Sequence, residues 1–127
     1  MPPALGGGKT ERGETIMAGK IRKISDDDFT TKVIKSRSPA VVDFWATWCE
    51  PCRRLDEVLE QMASEYDGRV SFYKVDVNES NSTASKYAVR SIPMLLFFSR
   101  GEIVDQAIGA LSREMLEEKL QKLLHYA

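Results

Sequence analysis

From Lys20 onward the apolar residues fall into alternating strand-like runs and helix-spaced stripes, whereas residues 1–19 carry almost no apolar periodicity. Ile21 and Ile24 mark a short strand. Ser25 follows as an N-cap, with Asp26, Asp27 and Asp28 in the first turn, where carboxylates meet the positive end of a helix dipole. Phe29, Val33 and Ile34 fall on one face of that helix. Pro39 closes the next connection, and Val41-Val42-Asp43-Phe44-Trp45 reads as a buried strand. Leu55, Val58, Leu59, Met62 and Tyr66 then keep the i, i+3, i+4, i+7 spacing of an amphipathic helix that ends near Asp67-Gly68.

Val70 to Val77 alternates as a strand, Ser82 to Tyr87 suits a short helix, and Met94 to Phe98 is a second continuous apolar strand. Ser99-Arg100-Gly101-Glu102 reads as a hairpin turn into a strand over Ile103 to Ile108. The last helix starts near Ser112 and buries Leu116, Leu120, Leu123 and Leu124 on one stripe, with Glu114, Glu117 and Glu118 early and Lys119 and Lys122 late. The order β-α-β-α-β-α-β-β-α predicts an α/β fold, a central mixed β-sheet flanked by helices on both faces.

Residues 1–19 hold two prolines and the run Gly6-Gly7-Gly8, the composition of a flexible tail, which leaves one domain over residues 20–127. Codons for Glu11-Arg12-Gly13-Glu14 are compatible with a purine-rich ribosome-binding sequence, so Met17 is an expected alternative start. The N-terminal glycines and charges stand where a secretory signal needs an apolar core of about 7–15 residues. The longest apolar runs are of strand length, far from the roughly 20 residues of a membrane span. A cytoplasmic location is therefore expected. Forty-three per cent apolar and 29% charged residues is an ordinary globular composition. Lys and Arg total 18 against 19 for Asp and Glu, which provides no basic footprint for nucleic acid or a membrane surface.

The chain has two cysteines, Cys49 and Cys52, in the segment Trp48-Cys49-Glu50-Pro51-Cys52 between the predicted buried strand and the helix that follows it. A bond between them closes too small a loop to staple a fold, which favours a reactive pair. At the start of a helix, unpaired amide groups and the dipole stabilise a thiolate, making Cys49 the candidate nucleophile. Cys52 lies one turn further on the same face, within reach for a bond, and is the candidate resolving thiol. Pro51 is tolerated in a first turn and stiffens the loop. No metal is expected, because structural zinc wants four ligands and the remaining candidate, His125, stands near the opposite end. Asp43, between Val42 and Phe44, is a carboxylate in a buried strand, so its pKa is expected to be raised. Pro93 stands at the mouth of a strand, where it removes a ladder donor.

The run Val42-Asp43-Phe44-Trp45-Ala46-Thr47-Trp48-Cys49-Glu50-Pro51-Cys52 resembles the active-site segment of the thioredoxin family. The likeness continues through Lys74, Ile92-Pro93, Gly101 and Ile108-Gly109-Ala110-Leu111, and so covers essentially Lys20 to the C-terminus. It implies the thioredoxin fold and a protein disulfide oxidoreductase that reduces disulfides of cytosolic proteins. The electrons come from a thioredoxin reductase or equivalent, and the only redox group is a Cys49–Cys52 disulfide, with no bound cofactor. The resemblance further implies a monomer, a cis bond before Pro93, and an Asp43 that lies behind the disulfide and exchanges a proton with Cys52, with Lys74 as its charged neighbour. Trp48, Pro51, Ile92, Pro93, Ile108 and Gly109 are then expected to form an apolar docking patch around Cys49, and Trp45 to pack in the core. The alternative is a non-enzymatic binding or subunit module built on the same fold.

The family usually has Gly where this chain has Glu50. A carboxylate about 6 Å from the sulfur in near-bulk water opposes the thiolate by roughly 0.7 kcal/mol, or about half a pKa unit. That corresponds to about 15 mV toward the reducing side, which Arg53 can cancel. The expected potential therefore stays near the reference value for thioredoxin itself, about −270 mV, and away from the oxidising class at about −120 mV. Glu57 stands where many members have a helix-bending proline, so a weaker or absent bend is expected. Met94 for the usual Thr and Ser91 for the usual Gly or similar residue touch the implied substrate groove and leave partner choice and recognition by a standard thioredoxin reductase open.

Overall fold

The structure is a computed structural model that describes Ile16, Met17 and residues 20–126. Its strands are β1 (Ile16–Met17), β2 (Ile21–Lys23), β3 (Ala40–Trp45), β4 (Ser71–Asp76), β5 (Met94–Ser99) and β6 (Glu102–Ile108). They form one sheet in the spatial order β1-β2-β4-β3-β5-β6. β2, β4 and β3 run parallel, while β1, β5 and β6 each pair antiparallel to a neighbour, which is the mixed sheet that the pattern predicts. The helices are α1 (Asp26–Phe29), α2 (Glu50–Glu65), α3 (Asn81–Lys86) and α4 (Arg113–His125). Most of the proposed tail lies outside the described residues, but Ile16–Met17 pairs with Ile21 and Arg22.

Strand periodicity sorts the core into two layers. Val41, Phe72, Leu95 and Phe97 point to the side covered by Leu55, Leu59 and Met62 of α2 and Leu116, Leu120 and Leu123 of α4. Val42, Phe44, Val75, Leu96 and Phe98 point the other way, against Phe29, Val33 and Ala84. Burying each of these large side chains contributes about 1.5–3 kcal/mol. β3 sits between β4 and β5, with Val42 and Phe44 both 0% exposed, so whatever it carries is held rigidly. Asp43 and Lys74 share the parity of Val41 and Phe72 and face α2.

Local chemistry ends the elements where the sequence predicts, with some differences. α2 closes before Gly68, whose φ of +86° is in the left-handed region. Arg100 and Gly101, at φ of +53° and +81°, make the tight hairpin between β5 and β6. A Cβ at Gly101 would collide with the Ile34 carbonyl oxygen, so close approach as well as conformation demands glycine there. The Ser112 hydroxyl caps α4 by accepting the Met115 N–H at 3.2 Å. Ser25 caps α1 by position only, since its hydroxyl donates to Asp28 instead. Asp26 reaches across to α3, where it accepts the Thr83 N–H at 2.8 Å and the Thr83 hydroxyl at 2.5 Å, and these bonds lower its pKa. α1 continues as a π-helical stretch, Thr30–Ile34, closed by the Lys35 N–H on the Thr30 carbonyl. Apolar spacing does not separate this from a regular helix, because both bury Phe29 and Val33. No helix among the described residues is long and apolar enough to cross a membrane.

Candidate active site

β3 leaves the sheet at Trp45 and the chain turns through Ala46, Thr47 and Trp48 into α2. Cys49 is the N-cap of that helix, Pro51 is in its first turn, and Cys49 and Cys52 are joined in a disulfide with Cα atoms 5.3 Å apart. Cys49 Sγ accepts the Cys52 N–H at 3.2 Å, satisfying one of the amides that a helix start leaves without an intrahelical acceptor. The same amide and the helix dipole are aimed at Cys49 Sγ when it carries charge, the arrangement expected of a nucleophilic thiolate. Cys49 and Cys52 are 4% and 1% exposed, with Cys49 the more accessible of the two.

Trp48 is 66% and Ile108 59% exposed, and Ile92 packs against the cysteines. The Ile92–Pro93 bond is cis, as the resemblance implies. The Pro93 carbonyl accepts the Gly109 N–H at 2.8 Å, which ties the mouth of β5 to the end of β6 beside the site. Arg53 grips both sides of the motif: one guanidinium nitrogen donates to Glu50 at 3.2 Å and the other to the Thr47 carbonyl at 2.7 Å. The Glu50 carboxylate thus stands beside the cation that the sequence places to offset it. Trp45 lies partly buried at the end of β3, packed against the small core cluster formed by Ala46, Cys49 and Cys52.

On the α2 side of the sheet, Asp43 of β3, Lys74 of β4 and Asp56 of α2 form a group of three ionisable side chains. Asp43 is 1% exposed, and neither carboxyl oxygen has a hydrogen-bond partner among the described residues. Burial raises its pKa to about 8, against the pull of Lys74 and with a further push from Asp56. Asp43 and Lys74 are partners in strand register. The Lys74 ammonium, however, donates to both oxygens of Asp56 on α2, at 3.0 and 2.9 Å, and lies 4.3 Å from the centre of the Trp45 ring. Lys74 is therefore the charged neighbour of Asp43 without being hydrogen-bonded to it. Asp56 was not among the predicted site residues. Its signal in the sequence is spacing: it stands four residues after Cys52 and seven after Cys49, on the helix face that carries both sulfurs.

The family model described as Thioredoxin matches residues 20–122. Among curated proteins, the chain is similar to Thioredoxin of Staphylococcus epidermidis, 47% identical over 104 residues, which cover 82% of this chain and 98% of the relative. Thioredoxin 2 of Chlorobaculum tepidum is 41% identical over 106 residues, covering 84% of this chain and 97% of that protein. Thioredoxin M4, chloroplastic, of Arabidopsis thaliana is 40% identical over 110 residues, or 87% of this chain. The chain spans 57% of the length of that plant protein.

Proposed function

The chain belongs to the thioredoxin family, and from that premise we propose that it is a dithiol–disulfide oxidoreductase reducing disulfides in other proteins. The observation that carries this reading is the Cys49–Cys52 disulfide at the head of α2, its Cys49 sulfur facing a helix amide and its rim open and apolar.

In the reduced protein the Cys49 thiolate attacks one sulfur of a client disulfide; the other client sulfur leaves as a thiolate and takes a proton from water. Cys52 then gives up its proton, attacks Cys49 Sγ and expels the second client thiolate. Two electrons have passed to the client, and Cys49–Cys52 is oxidised. Asp43, buried on the strand below, is the group in this chain suited to receive the Cys52 proton, and with a pKa of about 8 it is ionised in about a tenth of molecules at pH 7. Trp48, Pro51, Ile92, Pro93, Ile108 and Gly109 dock an extended client segment. Glu50 and Arg53 adjust the potential. A thioredoxin reductase or an equivalent electron donor restores the dithiol, and the protein works as a cytoplasmic monomer that serves electron transport and cell redox homeostasis.

Trapping tests the proposal. Cys52→Ser is expected to hold clients on Cys49 as mixed disulfides that release on addition of dithiol. Recovery of no mixed disulfide, together with undiminished biological activity of the variant lacking both sulfurs, would overturn it in favour of a non-enzymatic binding module.

A further inference from the structure

The ionisable group on the α2 side of the sheet is arranged so that Lys74, the cation acting on Asp43, is occupied elsewhere. Lys74 is the register partner of Asp43 on the adjacent strand, and its side chain is 5% exposed. A buried ammonium seeks a carboxylate, and Asp43 and Asp56 both stand near Lys74. It takes Asp56, with both oxygens engaged at 3.0 and 2.9 Å, and leaves both Asp43 oxygens without a hydrogen-bond partner among the described residues. The Trp45 ring, 4.3 Å from the Lys74 nitrogen, supports the ammonium in that position.

We propose that Asp56 is a positioning residue for proton exchange at the disulfide, holding the Lys74 ammonium and so denying Asp43 its counter-ion. The inference rests on the oxidoreductase reading for its purpose, but its geometry stands apart from that reading. Lys74 from β4 and Asp56 from α2 are the charged groups that act on Asp43, and its other strand neighbour, Leu95 on β5, is apolar. Asp76, two residues beyond Lys74 on β4, is turned onto the amides of Asn78 and Glu79. The two cysteines at the head of α2 are joined and do not titrate in the oxidised protein. Removing the Asp56 charge therefore acts on Asp43 in one direction by two routes. It deletes a like charge, and it frees Lys74 to turn toward Asp43; both favour the carboxylate.

The test is a carboxyl-carbon NMR titration of the oxidised full chain, with Asp43→Asn identifying the Asp43 resonance. In Asp56→Asn and Asp56→Ala the Asp43 midpoint is expected to fall by about 1–3 pH units, the range for a carboxyl that gains a nearby cation. In Asp56→Asn combined with Lys74→Met it should rise again, because no cation is left to gain. Asp56 is only partly buried in mid-helix and Ala is a good helix former, so the two single variants cover each other against a folding defect. The pH at which Cys52 half-maximally resolves a preformed Cys49 mixed disulfide should fall in step. An Asp43 midpoint unmoved in both Asp56 variants would overturn the assignment. Failure of the oxidoreductase reading is distinguishable, since the unaltered chain would then not reduce a client disulfide while the titration still shifts.

Discussion

Replacing Asp43 by Asn should change how stability depends on pH, by an amount that follows from burial. In the folded protein the carboxyl keeps its proton up to about pH 8, against an ordinary value of 3.8. Below that ordinary value both folded and unfolded chains are protonated and the group is neutral to folding. Between the two values the unfolded chain releases a proton that the folded chain retains, so stability falls as pH rises, by about 1.4 kcal/mol for each pH unit. The whole interval amounts to about 6 kcal/mol, reached near pH 8 and constant above it. Asp43→Asn removes the slope. Urea unfolding of both oxidised proteins at pH 5, 6, 7 and 8 measures it: the variant should gain about 3 kcal/mol on the unaltered chain between pH 5 and pH 7. Asp26, whose pKa is shifted the opposite way by Thr83, is present in both proteins and cancels in the difference. A buried amide without partners adds a constant offset, not a slope. Parallel stability curves would refute the reasoning, because they would mean that Asp43 titrates alike in the folded and unfolded chains.

Arg53→Ala should move the reduction potential by roughly 15 mV toward the reducing side, since Glu50 then opposes the thiolate without its partner. Equilibration with glutathione measures it, and a shift of the other sign would refute the offset. Gly101→Ala should destabilise the fold by roughly 1–3 kcal/mol through its left-handed backbone, and further through the collision with Ile34. A melting temperature equal to that of the unaltered chain would refute that account.

Much of this architecture is legible in the residues. The run Val41 to Phe44 and the stripe Leu55, Leu59, Met62 each read as buried elements because burial on a sheet or helix face imposes a period that the sequence must carry. Asp43 stands out because a carboxylate interrupts such a run. Asp56 does not stand out: its partner Lys74 is 18 positions away, and their meeting depends on how α2 rests on the sheet. Trp45 continues the apolar run of β3, and the end of the strand packs it against the cluster of Ala46 and the cysteines. The π-helical turn after α1 escapes because it keeps the same residues inward, and the cis bond before Pro93 was legible only through the family resemblance.

The site divides its tasks between parts of the molecule with different freedom to vary. Asp43 and the two cysteines stand on the central strand and the head of the helix that covers it, 1%, 4% and 1% exposed, where a change of side chain disturbs the core. The rim proposed to meet a client includes Trp48 and Ile108, 66% and 59% exposed, on a turn and an edge strand. Chemistry and recognition are thus separable for engineering: exchange of rim residues should redirect the protein to new clients while the reaction itself stays intact.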